Sequence, residues 1–129
     1  MTEPPADRVA LVTGAGRGLG ADIARALGAE GYAVAVNDLA GSSTAPEVAA
    51  GIEKSGGRAD VFAADVTDEQ GVRGLVSDIE SRYGAVDVLV VNATGPQPAI
   101  AVEDLTWRDL LDQLEFFVKS PTLLVQAVL

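Results

Sequence analysis

Glycines recur at every second position in the run Thr13-Gly14-Ala15-Gly16-Arg17-Gly18-Leu19-Gly20, between the apolar stretch VALV and a helix-forming segment. A strand, a Gly-rich turn and a helix start in this order form a receptor for anions. Where no Cβ stands, a phosphate can reach the backbone, and the free N–H groups and positive dipole end of the helix face its charge. An acid about twenty residues past such glycines can accept both hydroxyls of an adenosine ribose. Asp38 stands at that distance, at the end of the next apolar run. The pattern therefore implies a pyrophosphate-bearing dinucleotide, with Gly14, Gly18 and Gly20 as the points of backbone approach. The plainer reading is a tight strand-to-helix turn beside a surface aspartate.

Three further positions belong to the same argument. Arg17 could pair with a 2′-phosphate, stay in solvent or form an ion pair with Asp38. A carboxylate at the ribose repels a 2′-phosphate, so NAD is expected ahead of NADP. Asp65 either accepts from the adenine amino group or simply ends a strand before a cap at Thr67. Asn92 either bridges the backbones of neighbouring strands or touches the cofactor, and the two roles are compatible. Trp107, Leu110, Leu111 and Leu114 share a helical face and are expected to pack rather than to bind.

The elements that position these residues are legible as alternation. Apolar Val- and Ala-rich runs predict strands at 8–13, 32–37, 59–64 and 87–92, apolar on both faces as in a parallel sheet covered by helices. Helices are expected at 18–30, 44–55 and 68–83, another near 103–117, and one more after Pro121. Gly31 suits a left-handed C-cap. Thr44 with Glu47 and Thr67 with Gln70 fit the capping box, and Thr106 with Asp109 is a looser version. Strand and helix alternating at this pace predict an α/β fold, a doubly wound parallel sheet of Rossmann type with strand order 3-2-1-4. Residues 1–129 read as one domain. The loops after strands one and four should then line one crevice at the switch point.

Composition narrows the chemistry. The 129 residues contain no cysteine and no histidine, which removes disulfides, thiolate chemistry and the commonest general base. A formal net charge of −10 repels nucleic acid and anionic membranes, and neither is expected as a partner. The opening MTEPPADR lacks a basic stretch followed by an apolar one, and residues 114–129 are broken by Glu115, Lys119 and Pro121. The expectation is a cytoplasmic protein with no membrane span.

Together these residues resemble the short-chain dehydrogenase/reductase family, whose TGxxxGxG signature appears at 13–20. The resemblance runs from residue 8 to 129. Phrases such as RVALVTGAGRGLG and YGAVDVLVVNATG are most similar to 3-oxoacyl-thioester reductases and related alcohol dehydrogenases. It implies NAD or NADP held by Gly14, Arg17, Gly18, Leu19, Gly20, Asp38, Asp65, Val66, Asn92, Ala93 and Thr94. It also implies hydride transfer with a small carbonyl or alcohol substrate, and commonly a homo-oligomer.

Departures from the family pattern matter as well. In the Asn-Asn-Ala-Gly segment, Val91 replaces the first Asn and Thr94 the Gly. The family's helical Asn falls near Phe117 and is not carried over. The family's Tyr and following Lys are not found: Tyr32 and Tyr83 are followed at that spacing by Val36 and Asp87. Lys119 and Ser120 are expected at a helix break, as an exposed cap. No catalytic residue is therefore assigned. The fold is expected to stop before strands five to seven, the chain alone to give no turnover, and the fourth strand and last helix to lie open for association. The alternative is a non-catalytic dinucleotide-binding or interaction module.

Overall fold

The structure, a computed structural model, describes residues 8–129. The reading of a missing secretory pattern at the N-terminus falls mostly outside that range. β1 (Val9–Val12) and β2 (Ala33–Asp38) are dominated by Val and Ala and are buried on both faces, apart from half-buried Asp38. β3 (Arg58–Ala63) and β4 (Val88–Val90) flank them in one parallel sheet of order β3-β2-β1-β4. This is the order that the alternation predicts. Val12 lies opposite both Val36 and Val90, so the carboxyl ends of the three strands emerge level.

Helices cover both faces of the sheet. α1 (Gly18–Ala29) and α2 (Ala45–Lys54) bury Ala21, Ala24, Val48 and Ile52 against Val12, Val34 and Val36. On the other face α3 (Glu69–Tyr83) and α5 (Ser120–Val128) bring Val72, Leu75, Ile79 and Leu124 onto Val9, Leu11 and Ala35. Burial on both faces does not extend to the edges. Val61 of β3 is partly exposed and β4 is only half-buried throughout. Edge strands have only one neighbouring strand, so one side of each lies outside the sheet. β4 is also shorter than expected, leaving Asn92 beyond its end.

Helix starts correct the sequence reading at two of three sites. Thr44 sits at the N-cap of α2 with helical backbone angles, so its hydroxyl caps nothing. Ser42 Oγ instead accepts from Ala45 N at 3.1 Å. At α3 the extended N-cap is Asp68, which accepts from Gly71 N at 2.8 Å, while Thr67 turns back to Asp65. A cap requires a non-helical backbone at that one residue, which spacing alone does not specify. The looser candidate forms the full box, with reciprocal bonds between Thr106 and Asp109 opening α4 (Trp107–Leu114). Gly31 adopts φ 96° past the end of α1, and Tyr32 N reaches back to Leu27 O at 3.2 Å, as a C-cap requires.

The expected break before Pro121 is not a break. After a 3-10 turn at Val102–Asp104, α4 widens into a π turn at Glu115–Lys119 and continues directly into α5. A proline within a helix collides with the carbonyl four residues back, and the widened turn makes room for it. Lys119 and Ser120 therefore lie inside continuous helix, Ser120 buried with no partner for its hydroxyl among the described residues. α4 buries none of its residues, and Trp107 is 67% exposed, so its apolar face does not pack as expected. No helix among the described residues is long and apolar enough to cross a membrane.

α3 is pinned to the sheet edge through Tyr83, whose hydroxyl donates to Asp60 of β3 while its ring meets Phe62 edge-on. Burial first, then the Asp60 carboxylate, pushes the phenol well above its ordinary value of 10.0. Because the folded phenol titrates above the unfolded one, its contribution is complete below pH 10.0 and is lost as pH rises beyond that value. Denaturation series against pH should show an alkaline loss of stability that shrinks in Tyr83→Phe. At neutral pH, Asp68→Ala should cost about 1 kcal/mol in urea unfolding through the lost cap.

Candidate functional site

The site begins with a buried hydroxyl. Thr13 follows β1, and its Oγ1 accepts from the backbone N–H groups of both Asn92 and Ala93 at 3.0 Å. In return the Asn92 side-chain amide donates to Thr13 O and Gly14 O, each at 3.1 Å. On the other side Ala15 N donates to Asn37 O at 2.8 Å, and the Asn37 amide reaches Phe62 O across to β3. The turn after β1 is thus tied to the ends of β2 and β4. Asn92 fills its bridging role with both amide bonds used on the backbone.

The glycines fall into distinct parts. Gly14 has φ 61°, and a Cβ on it would stand 2.9 Å from Ala93 Cα. Gly20 is buried in the first turn of α1, where a Cβ would overlap Gly14 O and come within 2.5 Å of Asn92 Nδ2. Gly18 has φ 57° and faces open space. α1 starts there with Arg17 at its N-cap, no side-chain cap and no acid in its first turn. Its first N–H groups are left for whatever enters the cleft.

That cleft has a volume of about 530 Å³. Of the expected residues it is lined by Gly14, Arg17, Gly18, Asp38, Asp65, Val66, Asn92, Ala93 and Thr94. Leu19 and Gly20 do not line it: Leu19 is 69% exposed elsewhere and Gly20 lies beneath the turn. Asn37, Leu39, Ala64, Thr67 and Phe116 complete the wall. The first four are chain neighbours of Asp38 and Asp65, and proximity to those acids was a usable signal. Phe116 had none, since it reaches the cleft only through the π turn and lies on Gly95, where a Cβ would overlap its ring. Beyond Phe116 a second groove of about 440 Å³ runs between Pro96, Ile100, Leu105 and Leu110.

The two acids are held differently. Asp38 Oδ2 accepts from Gly16 N at 3.2 Å and Oδ1 from Leu39 N at 2.8 Å, and Arg17 forms no ion pair with it. Asp65 Oδ1 accepts from Thr67 Oγ1 at 2.7 Å and Thr67 N at 2.9 Å. Those two bonds hold the Asp65 carboxyl below its ordinary value, with the charge of Lys119 adding to the effect. No group of residues able to hold a metal ion occurs among the described residues.

Comparison with known proteins gives these features a context. The family model for short chain dehydrogenase matches residues 8–129. The chain is 39% identical over 115 residues to cis-4-hydroxycyclohexanecarboxylate dehydrogenase of Sinomonas cyclohexanicum, covering 87% of this chain and 45% of that protein. It is 37% identical over 105 residues to a 3-oxoacyl-acyl-carrier-protein reductase of Staphylococcus aureus, covering 80% and 43%. A short chain dehydrogenase from Burkholderia cenocepacia, solved in complex with NADP, superposes with TM-score 0.85 at 38% identity, covering 95% of this chain and 49% of that one. The chain thus spans about half the length of the proteins it matches.

The staple makes a stability prediction independent of any ligand. Asn92→Ala leaves two carbonyls without their amide donor and should cost about 1–3 kcal/mol in chemical unfolding. Gly20→Ala should cost a similar amount, about 1–3 kcal/mol, because its methyl has only backbone and Asn92 to displace.

Proposed function

This chain belongs to the short-chain dehydrogenase family, and from that premise we propose that its cleft binds a nicotinamide dinucleotide for an oxidoreductase acting on a carbonyl or secondary alcohol. The observation that carries the proposal is the uncapped start of α1, opening on the same cleft as Asp38 and Asp65. The residues present suit such a ligand. Gly14 and Gly18 leave the backbone bare for the pyrophosphate, with Arg17 beside it. Asp38 receives the adenosine ribose, and Asp65 with Val66 borders the adenine. Ala93 and Thr94 run toward the nicotinamide end, where the Thr94 side chain narrows the approach. Gly20 serves from behind by letting the turn lie close on α1, whereas Leu19 stands exposed outside the cleft.

The cofactor, when bound, supplies the hydride. This chain's own residues bind and orient it. No Tyr in the chain is followed by Lys at the fourth position, so no proton-transfer role is assigned to any of its residues and turnover by these residues alone is not expected. A reading as a non-catalytic dinucleotide-binding module rests on the same fact.

The finer reading is NAD, because the half-buried Asp38 carboxylate would meet a 2′-phosphate at close range with no arginine paired to it. NADP is the second reading. It is favoured by the relative solved with NADP and by Arg17 on the rim of the cleft. Calorimetric titration of both nucleotides separates them. Asp38→Ala should weaken NAD by about 10–100-fold, the worth of hydrogen bonds to a charged acceptor, and leave NADP as tight or tighter. NAD affinity unchanged by the substitution contradicts the ribose role of Asp38.

A further inference from the structure

Gly16 occupies a position that the TGxxxGxG signature leaves open, yet the structure uses its lack of a side chain. It is buried, and its backbone is not in the left-handed region, so nothing in its conformation calls for glycine. What calls for glycine is Asp38. The Gly16 N–H donates to Asp38 Oδ2, and a Cβ at position 16 would overlap that oxygen. The same Cβ would stand 3.1 Å from Ser42 Oγ and from Thr44 Oγ1. Ser42 Oγ is tied, because it accepts from Ala45 N at the start of α2, while the exposed Thr44 Oγ1, 3.4 Å from it, has to give only a few tenths of an ångström. The carboxylate is the group that can move. Its remaining tie, to Leu39 N at 2.8 Å, comes from the very next peptide and fixes only one oxygen.

We propose that Gly16 is a specificity-determining position for the coenzyme: its bare Cα lets Asp38 dock on the Gly16 N–H and hold its carboxylate toward the ribose. Any side chain at 16 drives the carboxylate away and shifts the preference from NAD toward NADP. The inference rests on the reading of Asp38 as the ribose acceptor. It adds that the aspartate alone does not set the choice. Gly16 acts through Asp38, so it is a positioning residue, and the two substitutions must be non-additive.

The test is a double-mutant cycle read by binding, titrating NAD and NADP into the wild-type chain, Gly16→Ala, Asp38→Ala and the double variant. Gly16→Ala should weaken NAD by about tenfold, the worth of one hydrogen bond to a charged acceptor. NADP should change far less, and in the Asp38→Ala background Gly16→Ala should have no further effect on NAD. Unchanged NAD affinity, equal losses for both nucleotides, or the same loss in the Asp38→Ala background each overturn the inference while leaving the dinucleotide reading intact. A wild-type chain that binds neither nucleotide overturns both. If circular dichroism shows Gly16→Ala unfolded, Asp38→Glu keeps the charge and the backbone but carries the carboxylate one methylene past the Gly16 N–H. It should lose NAD affinity to a similar degree, and wild-type affinity there overturns the proposal.

Discussion

Everything in the cleft depends on how closely the turn after β1 lies against the end of β4. Thr13 makes that approach specific. Its buried hydroxyl receives two backbone N–H groups from the β4 loop, and Asn92 returns two bonds to the turn. A buried polar group left without a partner costs about 1–3 kcal/mol, so a slipped turn would forfeit several such terms at once. Gly14 and Gly20 are the steric counterpart, since a Cβ at either would meet the opposing backbone. With the turn fixed, the first N–H groups of α1 and the end of β2 point into one space.

The chain carries ten excess negative charges, yet the proposed ligand is an anion. Distance decides between the two effects. Charges farther than about 8 Å away are largely screened at physiological ionic strength. In the proposed binding mode the uncapped amides of α1 and the Arg17 guanidinium would act at contact distance, where the helix end behaves as a partial positive charge. On the proposed reading the overall field would therefore slow the approach of the nucleotide more than it would weaken the bound state. On the same reading Asp38 is the local charge that would act selectively, accepting from the hydroxyls of a ribose and repelling a phosphate on it.

Much of this was legible in the chain. β1, β2 and the strand order follow from continuous Val/Ala runs separated by helical periods, because burial on both faces leaves an unmistakable pattern. The members of the cleft followed from strand ends, which is why Asp38, Asp65 and Asn92 were found and their neighbours Leu39 and Thr67 were within reach. What was not legible depends on single-residue geometry or on contacts distant in sequence. Thr44 and Thr67 have the right spacing for caps, but the backbone at 44 is helical and the extended residue is Asp68. The π turn before Pro121 puts Phe116 on Gly95 and into the cleft, and no local periodicity announces it. The dual hold on Asp38, which gives Gly16 its meaning, exists only once the turn and the end of β2 have met.

The most direct measurement is a nitrogen-15 NMR titration of the protein with NAD and with NADP. The account expects amide shifts concentrated at Gly14, Gly16, Gly18, Leu39, Thr67 and Ala93, with Lys54 and Gly84 on the far side unmoved. Shifts gathered instead along Leu105, Leu110 and Gln113, or no shifts at all with either nucleotide, would contradict it.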